Sequence, residues 1–295
     1  MSASQPGILS PLPAHGKYLF FAATHFADPA RSLSALAEHC DGEKQVVGLG
    51  SSLIQTLGIQ IEGLRPFPAI DLPGKSIPST GADLWVWLRG TDRGELLHES
   101  QKLEQLLIED FSLVHAIDAF MYRDSRDLTG YIDGTENPDG DDAIKTAIVS
   151  DKGPGIDGSS YVAVQQWLHD LSFFNAMPQQ QKDHTIGRRL SDNEEIDDAP
   201  ESAHVKRTAQ ESFDPEAFIL RRSMPWSESN DAGLVFVAFG HNLDAFETLL
   251  KHMAGLDDGI IDAMFDFSTP LTGAYFWCPP VSGGQLDLSA VEINS

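Results

Sequence analysis

Residues 130–138 read Gly-Tyr-Ile-Asp-Gly-Thr-Glu-Asn-Pro. A carboxylate between two glycines, followed by polar residues and a proline, is poor material for a core. It suits a loop that folds tightly around a bound group and aims one acid, Asp133, at it. Read alone, it is equally a turn. Two later residues give it meaning. The run Ser202-Ala203-His204-Val205-Lys206-Arg207 offers one of ten histidines, either as a metal ligand or as an ordinary surface or core residue. Further on, Arg221-Arg222-Ser223-Met224-Pro225-Trp226 follows a strand-like Phe218-Ile219-Leu220. Two adjacent arginines at a strand end, in an acidic chain, need a fixed anionic or buried partner, in a site or in a structural ion pair.

Familiar chemistries fail on spacing. Gly48-Leu49-Gly50 lacks the third glycine of a dinucleotide fingerprint, and Gly74-Lys75-Ser76 has Ala69 where a phosphate loop needs glycine. Counted from Asp133, a calcium loop would have Pro138 in place of its glycine and Ile144 in place of its last glutamate. There is no His-Glu-x-x-His and no Gly-x-Ser-x-Gly.

The elements that must hold these residues repeat along the chain. Leu84 to Gly90 is a strand-like run, and Asp92 stands three before Glu95, a capping-box pattern that starts a helix through about Leu107. Leu234 to Gly240 repeats the arrangement. There Asp244 stands three before Glu247, and Phe246, Leu249, Leu250 and Met253 recur at helical spacing. Each half opens with a strand, Tyr18 to Ala23 and Tyr161 to Trp167, and a helix is expected from about Pro29 to Cys40. The pattern points to an internal duplication of two α+β domains, each an antiparallel sheet with helices on one face. Pro, Gly and Asp cluster between residues 138 and 155, which puts the boundary at 145/146: domains 1–145 and 146–295. The segment Pro178 to Ser202 lacks apolar periodicity and reads as a long functional loop leading into His204.

Composition bounds the partners. Twenty basic and 44 acidic residues leave a net charge of −24, which repels nucleic acid and anionic membranes. Cys40 and Cys278 are too few for a disulfide framework or a zinc site. Met1 to Lys17 has neither the basic flank nor the apolar core of a signal peptide, and no run is long enough to span a membrane. A cytoplasmic location is expected.

Together, Gly130-x-x-Asp133-Gly134, His204 and Arg221, in that order, resemble the haem-site signature of the dye-decolorizing peroxidases, most closely their compact bacterial B or P type. The resemblance extends through Gly130 to Pro138, Ile186-Gly187-Arg188, His204 to Arg207, Arg221 to Pro225, and Phe267-Ser268-Thr269 to Gly273. It implies tandem ferredoxin-like domains of the α+β class. One haem b per chain would be bound mainly in the C-terminal half, with the Asp133 loop reaching over it.

The resemblance also implies roles. His204 is the proximal iron ligand, and its second ring nitrogen needs an acceptor, for which Asp262 is the candidate and Asp266 the rival. Asp133 moves the proton during peroxide cleavage, and Arg221 places a fixed charge against the charge developing at the breaking O–O bond. Ser223 neighbours the distal pocket, Asn137 and Thr135 either donate hydrogen bonds near the haem edge or hold their loop, and Arg188 and Arg207 either pair with the haem propionates or form surface ion pairs. The implied activity reduces hydrogen peroxide and oxidises dyes or phenolic compounds in one-electron steps, with small aromatic reductants as partners. Bulky dyes would be oxidised through a Tyr or Trp, of which there are five each. The competing reading is a haem-handling protein, a carrier or iron-release factor, with incidental peroxidase activity. Sheet edges and faces favour assembly, a homodimer or higher homo-oligomer.

Overall fold

A computed structural model describes residues 3–24 and 28–293. Met1 and Ser2, the start of the segment searched for a leader, lie outside the described residues. The first half runs α1 (Pro6–Leu9), β1 (His15–Ala23), α2 (Pro29–His39), β2 (Gln45–Gly50), α3 (Ser51–Thr56), a small hairpin β3 (Ile70–Leu72) and β4 (Lys75–Ile77), β5 (Leu84–Gly90), α4 (Arg93–Leu107) and β6 (Phe111–Phe120). The second half runs α5 (Gly140–Ala147), β7 (Ser160–His169), α6 (Leu171–Ala176), α7 (Gln179–Ile186), α8 (His204–Arg207), β8 (Leu220–Arg221), β9 (Met224–Glu228), β10 (Asp231–Gly240), α9 (Asp244–Met253), β11 (Ser268–Pro270) and β12 (Ala274–Cys278). The hairpin β13 (Val281–Ser282) and β14 (Gln285–Leu286) follows.

The duplication is visible in the strand order. In the first half β6-β1-β5-β2 lie side by side, and in the second β12-β7-β10-β9. Numbered within each half, both orders are fourth-first-third-second, all antiparallel. This is the ferredoxin-like arrangement twice. The two sheets do not remain separate. β12 pairs with β2 through Phe276↔Gly50 and Trp277↔Leu49, and β6 pairs with β9 through Ala119↔Trp226. Eight strands therefore close into one barrel-like ring.

Closure explains why the strands read as unbroken apolar runs rather than alternating ones. Side chains alternate between the two faces of a strand, and both faces here are covered. Trp85 and Trp87 of β5 point into the barrel with Tyr18, Phe239 and Phe276. Leu84, Val86 and Leu88 point outward under α2 and α4. The α4 start is as expected: Asp92 accepts hydrogen bonds from the N–H groups of Gly94 and Glu95. The α9 start is not. Asp244 is already inside the helix, and Asn242 accepts from its N–H instead.

The halves differ in what covers the outer sheet face. In the first half one long helix, α2, connects the first and second strands. In the second half that connection is α6, α7, a long loop and α8. The segment expected to be all loop thus contains α7, which ends at Gly187 in the left-handed conformation (φ 95°). Short helices fill less space than one long one, and a cavity opens between this segment, α9 and the β7–β10 face.

Candidate active site

Alternation along two strands shapes the cavity. Gln165, Trp167 and His169 of β7, with Leu234 and Phe236 of β10, face it, while Val162, Val164, Val235 and Val237 face the barrel. Its volume is about 240 Å³, and Phe246, Leu249, Leu250 and Met253 of α9, with Met264 and Phe267, add apolar wall. Asp133, Arg221, His204 and Arg188 all line this one cavity. Residues far apart in sequence thus converge on a single concave, largely apolar site with a few polar groups.

His204 opens α8. Its Nδ1 lies 2.7 Å from Oδ2 of Asp262, whose side chain is fully buried. The other Asp262 oxygen accepts from the Met264 N–H at 2.8 Å. A carboxylate accepts only, so Nδ1 carries the proton and Nε2 keeps its lone pair for a ligand. Asp266 lies exposed on the following turn.

Arg221 ends β8, and its Nη1 stands 3.5 Å from Asp133 Oδ1. At that separation the pair attract as charges, and both groups keep hydrogen-bonding capacity for something between or beside them. The Arg221 Nε–H is buried without a partner among the described residues. Other buried donors are also unpaired, but Arg221, with Gln165, stands on the cavity wall, where a bound group could supply the acceptor.

The loop holding Asp133 is folded by its ends. Gly130 and Gly134 adopt φ of 94° and 84°, which L side chains resist. Asn137 then clamps the loop to β8. Its Nδ2 donates to the Arg221 carbonyl at 2.9 Å, and its Oδ1 accepts from the Arg221 N–H at 2.8 Å. The Arg222 N–H, one residue on, bonds Val237 of β10, so the Arg221 N–H points the other way, toward the loop. Of the two roles open to Asn137, the structure shows the loop-holding one. The residue lines an adjoining cavity of about 350 Å³ and fixes the backbone that carries Arg221.

Ser223 also lines that second cavity, not the first. The two share Asp133, Gly134, Arg221 and Leu234 as a common wall. The Ser223 hydroxyl accepts from the Val237 N–H at 3.4 Å.

Arg188 sits at the cavity rim, 2.7 Å from Glu136 and 3.3 Å from Glu195. Arg207 departs from expectation. It is buried and turned away from the cavity, forked onto both Asp258 oxygens at 2.7 and 2.9 Å and onto the His252 carbonyl at 2.6 Å. Adjacency to His204 in the chain suggests a place near the site, but the fork onto the exposed Asp258 holds the guanidinium elsewhere.

Other groups on the cavity carry little signal in the sequence. His169 bridges Ser268 at 2.7 Å and Asp127 at 3.1 Å, and Asp127 also accepts from the N–H and hydroxyl of Thr129. Burial raises the Asp127 pKa, but hydrogen bonds from His169 and Thr129 outweigh it, and the carboxyl stays below the usual range. The network ties the start of the Asp133 loop to β7. Its only sequence signal was Asp127, three residues before Gly130.

A model of the family "Dyp-type peroxidase, C-terminal" matches residues 124–283. Dye-decolorizing peroxidases of Mycolicibacterium paratuberculosis and Rhodococcus erythropolis are 31% and 34% identical to the chain. The matches cover 88% and 81% of it, and 73% and 72% of those proteins. Among solved structures, a dyp-type peroxidase protein from Shewanella oneidensis superposes with a TM-score of 0.88 at 29% identity, covering 100% of this chain and 99% of that one. The dye-decolorizing protein from V. cholerae gives 0.86 at 28%, covering 97% and 98%. DyPB from Rhodococcus jostii RHA1 gives 0.83 at 29%, covering 94% and 96%, and variants of it were solved in complex with haem. With the cavity, its histidine and the acid–arginine pair in place on a matching fold, the chain belongs to the dye-decolorizing peroxidases, a family of haem peroxidases.

Proposed function

We propose that the cavity would hold one haem b on His204, and that Asp133 and Arg221, on the same cavity, work on hydrogen peroxide. The observation that carries the reading is the convergence of these three residues, 204, 133 and 221, on one largely apolar cavity. The residues fit the cofactor. His204 has a free Nε2 backed by a buried carboxylate, the walls suit a flat apolar macrocycle, and the buried Arg221 Nε–H lacks an acceptor. Haem, when bound, supplies the iron that peroxide oxidises and that reductants restore one electron at a time.

The chain's own residues do the rest. Asp262 takes the Nδ1 hydrogen bond, fixes the tautomer and makes the imidazole a stronger donor, which favours the oxidised metal. Asp133 takes a proton from one peroxide oxygen and returns it to the other as the leaving water forms. Arg221 stays charged throughout and offsets the negative charge that builds on the departing oxygen. Asn137 holds Arg221 in place. Arg188 would exchange Glu136 for a propionate. Haem would then lie mainly against residues 146–295, with the loop at the end of residues 1–145 over it; helix α5 spans the 145/146 boundary. The reductants are dyes or phenolic and other small aromatic compounds, and the net charge argues against nucleic acid and anionic membranes. No helix among the described residues is long and apolar enough to cross a membrane. We also propose a homodimer or higher homo-oligomer, and a cytoplasmic location from the two free buried thiols. Family membership decides for a peroxidase over the haem-handling reading.

The test is stopped-flow absorption of haem-loaded Arg221→Leu and Asp133→Asn. Each should retain haem and react with peroxide more than tenfold slower than wild type. Wild-type rates in both would remove the pair from the chemistry.

A further inference from the structure

Tyr131 belongs to the Asp133 loop, and its ring lines the cavity. The residue is only 4% exposed. Its hydroxyl donates to Oδ1 of Asp183 at 2.5 Å and accepts from Nε2 of Gln179 at 3.2 Å. Both partners stand on α7. Asp183 is half-buried and Gln179 is exposed, so the ring reaches from the cavity wall to just beneath the surface. Phe174 packs edge-on against it at 6.3 Å and fixes its plane.

The other tyrosines are placed differently. Tyr18 lies inside the barrel stacked on Trp87, Tyr161 donates to the Glu62 carbonyl, and Tyr275 sits in the sheet–helix core. Tyr122 lines the adjoining cavity. Trp167 shares the main cavity wall, but among the described residues no carboxylate hydrogen-bonds its indole.

Resting on the haem peroxidase reading above, we propose that Tyr131 is the electron relay between bulky reductants outside α7 and the buried cofactor, with Asp183 as its proton acceptor. Burial, and then Asp183, hold the phenol well above its usual pKa, so the reduced residue keeps its proton. Removing an electron from a phenol makes it a strong acid. Oxidation therefore needs a base already in contact, and the Asp183 carboxylate is one. Tyr131 would give one electron to the oxidised cofactor while its O–H bond breaks and the proton passes to Asp183 Oδ1. A neutral phenoxyl radical remains. A reductant AH at the surface then gives one electron to that radical, Asp183 returns its proton to the phenol oxygen, and AH releases its own proton to water. Two rounds consume one peroxide: H2O2 + 2 AH gives 2 H2O + 2 A radicals.

The test is freeze-quench electron paramagnetic resonance of haem-loaded protein mixed with peroxide, with and without ring-deuterated tyrosine. Wild type should give a radical signal that narrows on deuteration, and Tyr131→Phe should lose it, with oxidation of a bulky anthraquinone dye falling at least tenfold. Asp183→Asn keeps an acceptor for the phenol but removes the base. Its tyrosyl signal should form more than tenfold slower, which a merely structural tie between loop and helix does not require. A signal that survives in Tyr131→Phe, an indole radical in its place, or an Asp183→Asn signal formed at the wild-type rate overturns the assignment. Failure of the wild-type haem spectrum to respond to peroxide would instead sink the reading on which it rests.

Discussion

Replacing Asn137 with alanine should damage stability and chemistry together, although Asn137 lines only the adjoining cavity. The clamp consists of two hydrogen bonds to the backbone of Arg221, at 2.8 and 2.9 Å. An average protein hydrogen bond contributes about 1 kcal/mol net, and a buried donor left bare costs about 1–3 kcal/mol. The two backbone groups do not suffer alike. The Arg221 carbonyl keeps a second donor, Nη1 of Arg222 at 3.2 Å. The Arg221 N–H faces away from β10 and loses its acceptor. The loss should therefore be about 2 kcal/mol, or roughly 3 °C of melting temperature in a chain of this size. The same break frees β8 from the Asp133 loop, so the guanidinium and carboxylate drift from their shared wall. Small misplacements of that kind cost about a hundredfold in rate. Differential scanning calorimetry and peroxide turnover on haem-loaded Asn137→Ala check both parts, and Asn137→Asp, which accepts but cannot donate, should fall between. An alanine variant with unchanged melting and unchanged turnover would refute the clamp.

Two further predictions concern carboxylates. Asp262→Asn keeps the shape beside His204 but withdraws the charge, so the haem iron should become easier to reduce; potentiometry should show a midpoint tens of millivolts more positive, and an unchanged potential would remove Asp262 from the tuning of the metal. Asp258 is held down to about 2, chiefly by hydrogen bonds from Arg207 and then from the Ile260 N–H. A carboxyl depressed in the folded state stabilises above its unfolded value, near 3.9, and that contribution is lost as pH falls through about 2. Asp258→Asn should thus melt lower than wild type by a constant margin between about pH 5 and 8, and the margin should shrink between about pH 4 and 2. A pH-independent margin would show that packing, not charge, is what the variant lost.

The parts of the fold legible in the sequence were those set by neighbours in the chain. The strand at Leu84–Gly90 and the Asp92 cap depend on local alternation and a three-residue spacing, and both appear as expected. Helix α7 escaped notice because it is short and polar, and is held by contacts such as the Tyr131–Asp183 bond rather than by an apolar stripe. Closure of the two sheets into one ring depends on two joints, Phe276↔Gly50 and Ala119↔Trp226, that no local pattern announces. The same division runs through the site. Of the two acceptors the sequence offers His204, Asp262 and Asp266, the structure pairs it with Asp262. Arg207 was named from adjacency, yet its fork onto Asp258 faces away from the cavity. A loop-holding role for Asn137 is legible, but its partner Arg221 is not, since it lies 84 residues away.

The central claim is that His204 carries the haem in this cavity. The direct measurement is the absorption spectrum of wild type and His204→Ala, each expressed with haem supplied, before and after one equivalent of hydrogen peroxide. Wild type should show an intense Soret band that shifts within seconds, and the variant should hold little haem tightly. Full haem retention by His204→Ala with an unchanged spectrum, or a wild-type protein that takes up no haem, would contradict the claim.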